Sequence, residues 1–280
     1  VIINYSRYKL YQTCPRQYYW RYLQNLVLPK VAMPLLFGRC VHKGLEVLLS
    51  GKDIEEAKTA LLEEWNSGPQ VPLLPEEQEL VAKHQRYALF VLEKYHATYP
   101  TEEWTVLAPE VEGTADLPEG HKLKFRTDGI VSWRNAAWLV EHKTTAALGP
   151  TFFNRFRMDG QITAYIYGVN QVLKVQPVGA VINALFKARN LDKTDFQRDI
   201  VMRTKSQVEE FVTQLGFTCS FLERTTRNCP DKASWLMHTH SCFNYNRPCD
   251  YLELCYHDTP GVRELFVERS SDYVDDEEAS

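Results

Sequence analysis

The chain has no apolar run long enough to cross a bilayer, which excludes a membrane-spanning helix within its 280 residues. It has no fixed-period repeat, so solenoids and propellers are out. It shows no secretory-type signal, and seven cysteines without one do not make a disulfide scaffold. An intracellular protein, cytoplasmic or nucleoid-associated, is the expectation. A strong overall charge is missing too, the net value being −4. What remains, 44% apolar and 24% charged residues, describes a globular protein able to bury one sizeable core or two modest ones.

The weak net charge hides an uneven distribution. Residues 1–50 carry Arg7, Lys9, Arg16, Arg21, Lys30, Arg39 and Lys43 against Glu46 alone. Tyr5, Tyr8, Tyr11, Tyr18, Tyr19, Trp20 and Tyr22 are interleaved with them. Bases and aromatic rings together suit single-stranded nucleic acid, in which bases stack and phosphates are neutralised. A solvated basic face with packed rings is the plainer reading. The tail SSDYVDDEEAS carries five acids and no base, and reads as flexible.

Helical patterns dominate the first hundred residues. NYSRYKLYQTCPRQYYWRYLQNL reads as helix restarted or kinked at Pro15, and PLLFGRCVHKGLEVLLSG as a helix ending at Gly51. DIEEAKTALLEEWNSG follows with a capping box, then the long amphipathic PEEQELVAKHQRYALFVLEKYHATYP. Strands are expected over Trp104–Val111, in a hairpin, and in VGAVINALFKA and FQRDIVMR. One helix, from about Phe153 to Lys174, separates the hairpin from the later strands, and another lies near Lys205–Leu222. The order predicts an α/β core with helices gathered at the N-terminal end.

The hairpin FRTDGIVSWRNAAWLVEHKTT poses a physical problem. With its turn near Asn135, Asp128 falls opposite Glu141, and like charges across a strand pair are destabilising. A bound cation is the leading candidate to offset them. Glu141 and Lys143 share one strand face while His142 points the other way. A surface ion pair on an edge strand is the plain alternative. His42 lies in GRCVHKG, and Gln161 and Tyr165 stand four residues apart on one helix face in DGQITAYIYG.

The order His42, Asp128, Glu141-x-Lys143, Gln161-x-x-x-Tyr165 resembles the PD-(D/E)XK nuclease superfamily, and within it the RecB-type group. The resemblance runs from about Ser6 to Cys255. It implies a restriction-endonuclease-like fold, with a central mixed β-sheet flanked by helices, an N-terminal helical region and a Cys-rich C-terminal closure. It implies His42, Asp128 and Glu141 as ligands of one or two Mg²⁺ or Mn²⁺ ions, Lys143 as the catalytic lysine, and Gln161 and Tyr165 as supporting residues. Boundaries follow: a helical region at 1–100 carrying Cys14 and His42, a nuclease core at 101–225, a Cys-rich segment at 226–260, and an acidic tail at 261–280. The implied activity is a metal-dependent deoxyribonuclease, more an exonuclease than an endonuclease, acting in recombination, repair or end processing. DNA, as single strands or duplex ends, is the implied substrate, with a helicase or recombination protein as partner. The competing expectation is an idle member of the fold that binds DNA or a protein.

CFNYNRPCDYLELC places Cys242, Cys249 and Cys255 six and five residues apart, one ligand short of a tetrahedral site. In the resembling family the fourth ligand stands in CPR, here Cys14, and the set holds a 4Fe–4S cluster. The rival set is Cys229, Cys242, Cys249 and Cys255 on zinc. Buried free thiols are the plainest alternative, and the one expected for Cys40 and Cys219.

Overall fold

The computed structural model describes residues 1–29, 33–67, 75–149, 151–188, 190–228, 231–244 and 247–269. A short strand β1 (Ile2–Ile3) opens the chain, followed by α1 (Tyr5–Thr13) and α2 (Pro15–Tyr18). Cys14 between the helices is extended, and Pro15 takes the first helical position of α2, where its missing N–H costs nothing. A single π turn, Tyr19–Leu23, and β2 (Leu26–Val27) follow. Tyr18, Tyr19 and Trp20 are buried, and Trp235 packs on both tyrosines. Much of the N-terminal aromatic content is therefore core.

Helices α3 (Met33–Leu49), α4 (Ile54–Ser67) and α5 (Pro75–Thr98) form a second cluster, joined to the sheet through Leu185 and Phe196. The strands are β3 (Thr105–Ala108), β4 (Val111–Asp116), β5 (Lys122–Thr127), β6 (Gly129–Trp133) and β7 (Ala136–Thr145). Helix α6 (Gly160–Leu173) then leads to β8 (Pro177–Phe186), β9 (Asp195–Met202) and α7 (Lys205–Asn228). A five-stranded sheet has the order β3-β6-β7-β8-β9, parallel only between β7 and β8, which α6 connects. A three-stranded sheet has the order β1-β5-β4, with β1 parallel to β5. The expected mixed sheet flanked by helices is present.

The expected single strand Trp104–Val111 and the expected hairpin arm from Phe125 are each broken, and the breaks matter. The chain leaves one sheet for the other at Pro109–Glu110 and again at Asp128. Strand β4 went unread, although the short PEG turn before β5 marks it. The β6–β7 turn is a two-residue one, with Arg134 and Asn135 at φ 52° and 60°, the left-handed geometry that matches hairpin twist. Gly129, the first residue of β6, lies against Leu49 and the Pro109 carbonyl, so a side chain there has no room.

Helix α6 is capped by Asp159, which accepts from the Gln161 N–H at 2.7 Å. Its buried residues, Ile162 and Ile166 among them, share the main core with Phe125 of β5. A methyl group at Gly168 would fall within 2.6 Å of the Phe125 ring. We expect Gly168→Ala to destabilise the fold by about 2 kcal/mol or more, the cost of overpacking. Chemical denaturation measures this, and an unchanged midpoint would mean that α6 shifts off the sheet without cost.

Candidate active site

Strand β7 sends its side chains to two faces. Toward α6, Lys143 Nζ lies 2.9 Å from Glu141 Oε1 and donates to Gln161 Oε1 at 3.0 Å. Gln161 Nε2 in turn donates to Tyr165 Oη at 2.8 Å. The four residues form one buried polar chain, each 3% exposed. Their spacing brings this about: alternate strand positions share a face, and i, i+4 positions share one on the helix.

On the opposite face, His142 lies over Asn183, its cross-strand neighbour on β8, and its ring packs edge-on against His42 of α3. Asp128, at the bend between the sheets, joins the two sides. Its Oδ2 accepts the His142 backbone N–H at 2.7 Å, and its Oδ1 lies 3.2 Å from His42 Nδ1. The last ladder pair is Gly129 with Val140, so Asp128 does come next to Glu141 in register. The anticipated repulsion is met within the protein, by His42 and an N–H at Asp128 and by Lys143 at Glu141.

The two carboxyls are pushed apart in acidity. Burial works against charge at Asp128, yet the His42 ring and the His142 ring and N–H hold it well below the usual carboxylate range. At Glu141 burial dominates and, with the Asp128 charge, raises it to about 7 against the pull of Lys143. Burial lowers His142 to about 3, so its ring is neutral. Glu141 Oε2 and His142 Nε2 are buried and have no hydrogen-bond partner among the described residues. Among those residues no group of three or more His, Cys, Asp or Glu side chains is arranged to hold a metal ion. His42 and Asp128 are occupied with each other, and Glu141 with Lys143. The unpartnered Glu141 oxygen beside the Asp128 charge is the feature that fits a hard cation.

A cavity of about 220 Å³ opens beside His42, Asp128 and His142, with Lys43, Glu110 and Arg126 in its wall. Glu110, at the first bend as Asp128 is at the second, was not singled out from the sequence. Neither was His142. A larger groove of about 750 Å³ runs past Tyr5, Lys9, Arg21, Tyr22 and Arg247 and reaches Gln161.

At the other end of the fold, Cys14 meets the C-terminal segment. The His238 N–H donates to Cys14 Sγ at 3.4 Å, and the Tyr251 N–H to Cys249 Sγ at 3.4 Å. The Cys249 N–H bonds the Cys242 carbonyl at 2.8 Å, and the Arg16 N–H bonds the Leu236 carbonyl at 3.0 Å. Burial pushes the Cys249 thiol up to about 11, with added repulsion from Cys255 and Cys14. Burial likewise raises Cys255, which also feels Cys14 and Cys242. Chain ends more than 200 residues apart in sequence therefore meet here, although Cys14, Cys242, Cys249 and Cys255 do not form a group arranged to hold a metal among the described residues. Cys229 of the rival set lies outside the described residues. Cys40 and Cys219 are fully buried, as core residues.

A mixed sheet with an acid-x-Lys pair on the strand that enters the parallel crossover is the arrangement of a restriction-endonuclease-like core. The family model of the PD-(D/E)XK nuclease superfamily matches residues 3–256, and the chain belongs to that superfamily. Among solved structures it is similar to a candidate exonuclease from Eubacterium rectale, at 14% identity over 81% of each chain with a TM-score of 0.48. It is also similar to LHK-Exo, whose structure was solved in complex with dAMP, at 15% identity over 71% of this chain and 96% of that one, TM-score 0.30. No curated protein matches it.

Proposed function

We propose that the protein is a divalent-metal-dependent nuclease that hydrolyses DNA phosphodiester bonds, acting as an exonuclease in recombination, repair or end processing. The observation that carries this is the buried chain Glu141–Lys143–Gln161–Tyr165 ending on an unpartnered carboxylate oxygen beside Asp128. Burying such charges has no structural benefit that apolar residues would not supply better.

In this reading His42, Asp128 and Glu141 hold one or two Mg²⁺ or Mn²⁺ ions. Such an ion supplies an acidified water and neutralises charge on phosphate and leaving oxygen. The chain's own residues do the rest. Asp128 Oδ1 and His42 Nδ1 lie 3.2 Å apart, a separation that two ligands of one ion can share. Burial and the Asp128 charge disfavour the ionised form of Glu141, and a bound cation would favour it. Lys143 orients the attacking water and stabilises negative charge on the phosphate. Gln161 anchors the lysine, and Tyr165 anchors Gln161. The aromatic and basic groove that reaches Gln161 suits a single strand or a frayed duplex end.

Cys14, Cys242, Cys249 and Cys255 hold a 4Fe–4S cluster in this reading, with zinc as the alternative metal. Burial disfavours the thiolates of Cys249 and Cys255, so a bound cation would be what ionises them. In domain terms, residues 101–225 are the nuclease core, 1–100 the helical region, 226–260 the cluster segment and 261–280 the tail. A helicase or recombination protein would deliver the strand to the groove.

Two measurements test the site and the mode of attack. Calorimetric titration with Mn²⁺ is expected to show binding that Asp128→Ala weakens at least about tenfold. A closed circular single strand is expected to outlast the linear strand of the same sequence. Equal loss of both would make the enzyme an endonuclease, and Mn²⁺ binding indifferent to Asp128→Ala would move the metal elsewhere.

A further inference from the structure

His142 fills the variable position between Glu141 and Lys143, and nothing in the proposed mechanism uses its side chain. Its ring is 3% exposed and lines the cavity shared with His42 and Asp128. Nδ1 lies 2.8 Å from Asn183 Nδ2, while Nε2 has no partner among the described residues. A buried polar group left unpaired is costly, and in a native fold it calls for a reason.

Which ring nitrogen carries the proton is decided beyond the ring itself. Arg198 Nε donates to Asn183 Oδ1 at 3.4 Å. A guanidinium has only donors, so the Asn183 carbonyl must face it, since a flipped amide would oppose two donors. The amide nitrogen then faces Tyr95 Oη, at 3.0 Å, and His142 Nδ1. Arg198 is itself fixed. Its two terminal nitrogens each bind the Glu102 carboxylate at 2.7 Å, and one also donates to Tyr95 Oη at 2.7 Å. Its plane lies over Tyr99, with the guanidinium carbon 3.7 Å from the ring centre. The Tyr95 hydroxyl hydrogen passes to Glu102 at 3.4 Å. With each proton of the network placed, Nδ1 of His142 can only accept.

An imidazole that accepts at Nδ1 keeps its one proton on Nε2. We propose that His142 is a further catalytic residue, presenting Nε2–H to a phosphate oxygen of the bound strand, with Asn183 and Arg198 as the positioning residues that fix its tautomer. The protonated Nε2 has no lone pair, so His142 is not a metal ligand. The cavity wall pairs Lys43 with Glu46 and Arg126 with Glu110, so a phosphate would enter it together with the metal that the nuclease reading requires. This rests on the nuclease reading, because the phosphate is that of a bound strand.

The test is nitrogen NMR of the imidazoles in metal-free, isotope-labelled protein, combined with turnover of three variants. The wild-type His142 ring is expected as the Nε2–H tautomer, and its Nε2 signal should move when a short oligothymidine strand is added with Ca²⁺. Asn183→Asp offers only acceptors to the ring and keeps a partner for Arg198. It should transfer the proton to Nδ1 and lower turnover about 100-fold, the usual cost of losing one aimed donor. His142→Phe should lose a similar factor at an unchanged Mn²⁺ midpoint, and His142→Gln, which restores an N–H, should recover part of it. An Nδ1–H tautomer in the wild type, or an Nε2 signal indifferent to the strand, overturns the proposal. So does a His142→Phe variant that turns over normally or needs more Mn²⁺. The NMR arms need no turnover, so failure of the nuclease reading and failure of this one are separable.

Discussion

Lys143→Met is expected to lower DNA cleavage by about 1,000-fold or more while DNA stays bound. The substitution keeps the volume of a side chain that is 3% exposed, so the surroundings need not collapse. It removes the ammonium that lies 2.9 Å from Glu141 and is held by Gln161. Breaking a buried pair commonly costs about 3–5 kcal/mol because a charge is left alone. Glu141 has a way out, since burial has already raised it to about 7 and it can take up a proton. The variant should therefore fold, with its thermal midpoint recovering in part as pH falls below 7. The sign follows from Glu141, whose folded value would rise further above its unfolded one and so favour the fold at acid pH. Turnover under single-turnover conditions, with fluorescence anisotropy for DNA binding, checks both halves. Turnover within a few-fold of wild type would show that Lys143 is only a structural counter-charge to Glu141.

Cys14→Ser has the second large expected effect, and it reads out at the opposite end of the molecule. Anaerobically purified wild type should be brown, with about four irons per chain for a 4Fe–4S cluster. The variant should be colourless, and its thermal midpoint lower by roughly 10 °C or more, because the metal's binding energy is also folding energy. The expectation rests on Cys14 meeting the C-terminal segment, where its sulfur lies against the Leu236 carbonyl and accepts from the His238 N–H. Tyr18 and Tyr19 against Trp235 hold the two ends together without the metal, so the variant should lose stability rather than fail to fold. Colourless wild-type protein with stoichiometric zinc, indifferent to Cys14→Ser, would favour the set that includes Cys229.

Much of this was legible in the sequence where local pattern and tertiary outcome agree. The Glu141–Lys143 pair and the Gln161–Tyr165 pair declare their shared faces through strand and helix periodicity. The β6–β7 turn is likewise written in Arg134–Asn135. The breaks at Pro109–Glu110 and Asp128 were not legible, because a strand that changes sheets keeps the same alternation on both sides of the bend. That hid β4, and with it the proximity of Glu110 to Asp128. The sequence also could not show that Asp128 and Glu141 would each find a partner within the protein, since His42 approaches from a helix 86 residues earlier. The role of His142 depends on Asn183, Arg198, Tyr95 and Glu102, which lie on four different segments and share no motif. Convergence of that kind is a property of the fold.

The most direct test of the central claim is the fate of end-labelled linear DNA, single- and double-stranded, incubated with the purified chain. With Mg²⁺ or Mn²⁺ the label should be released progressively, and EDTA should stop its release. Well-folded protein that leaves every DNA form intact with either metal would contradict the account, and would make the chain a binding member of the nuclease fold.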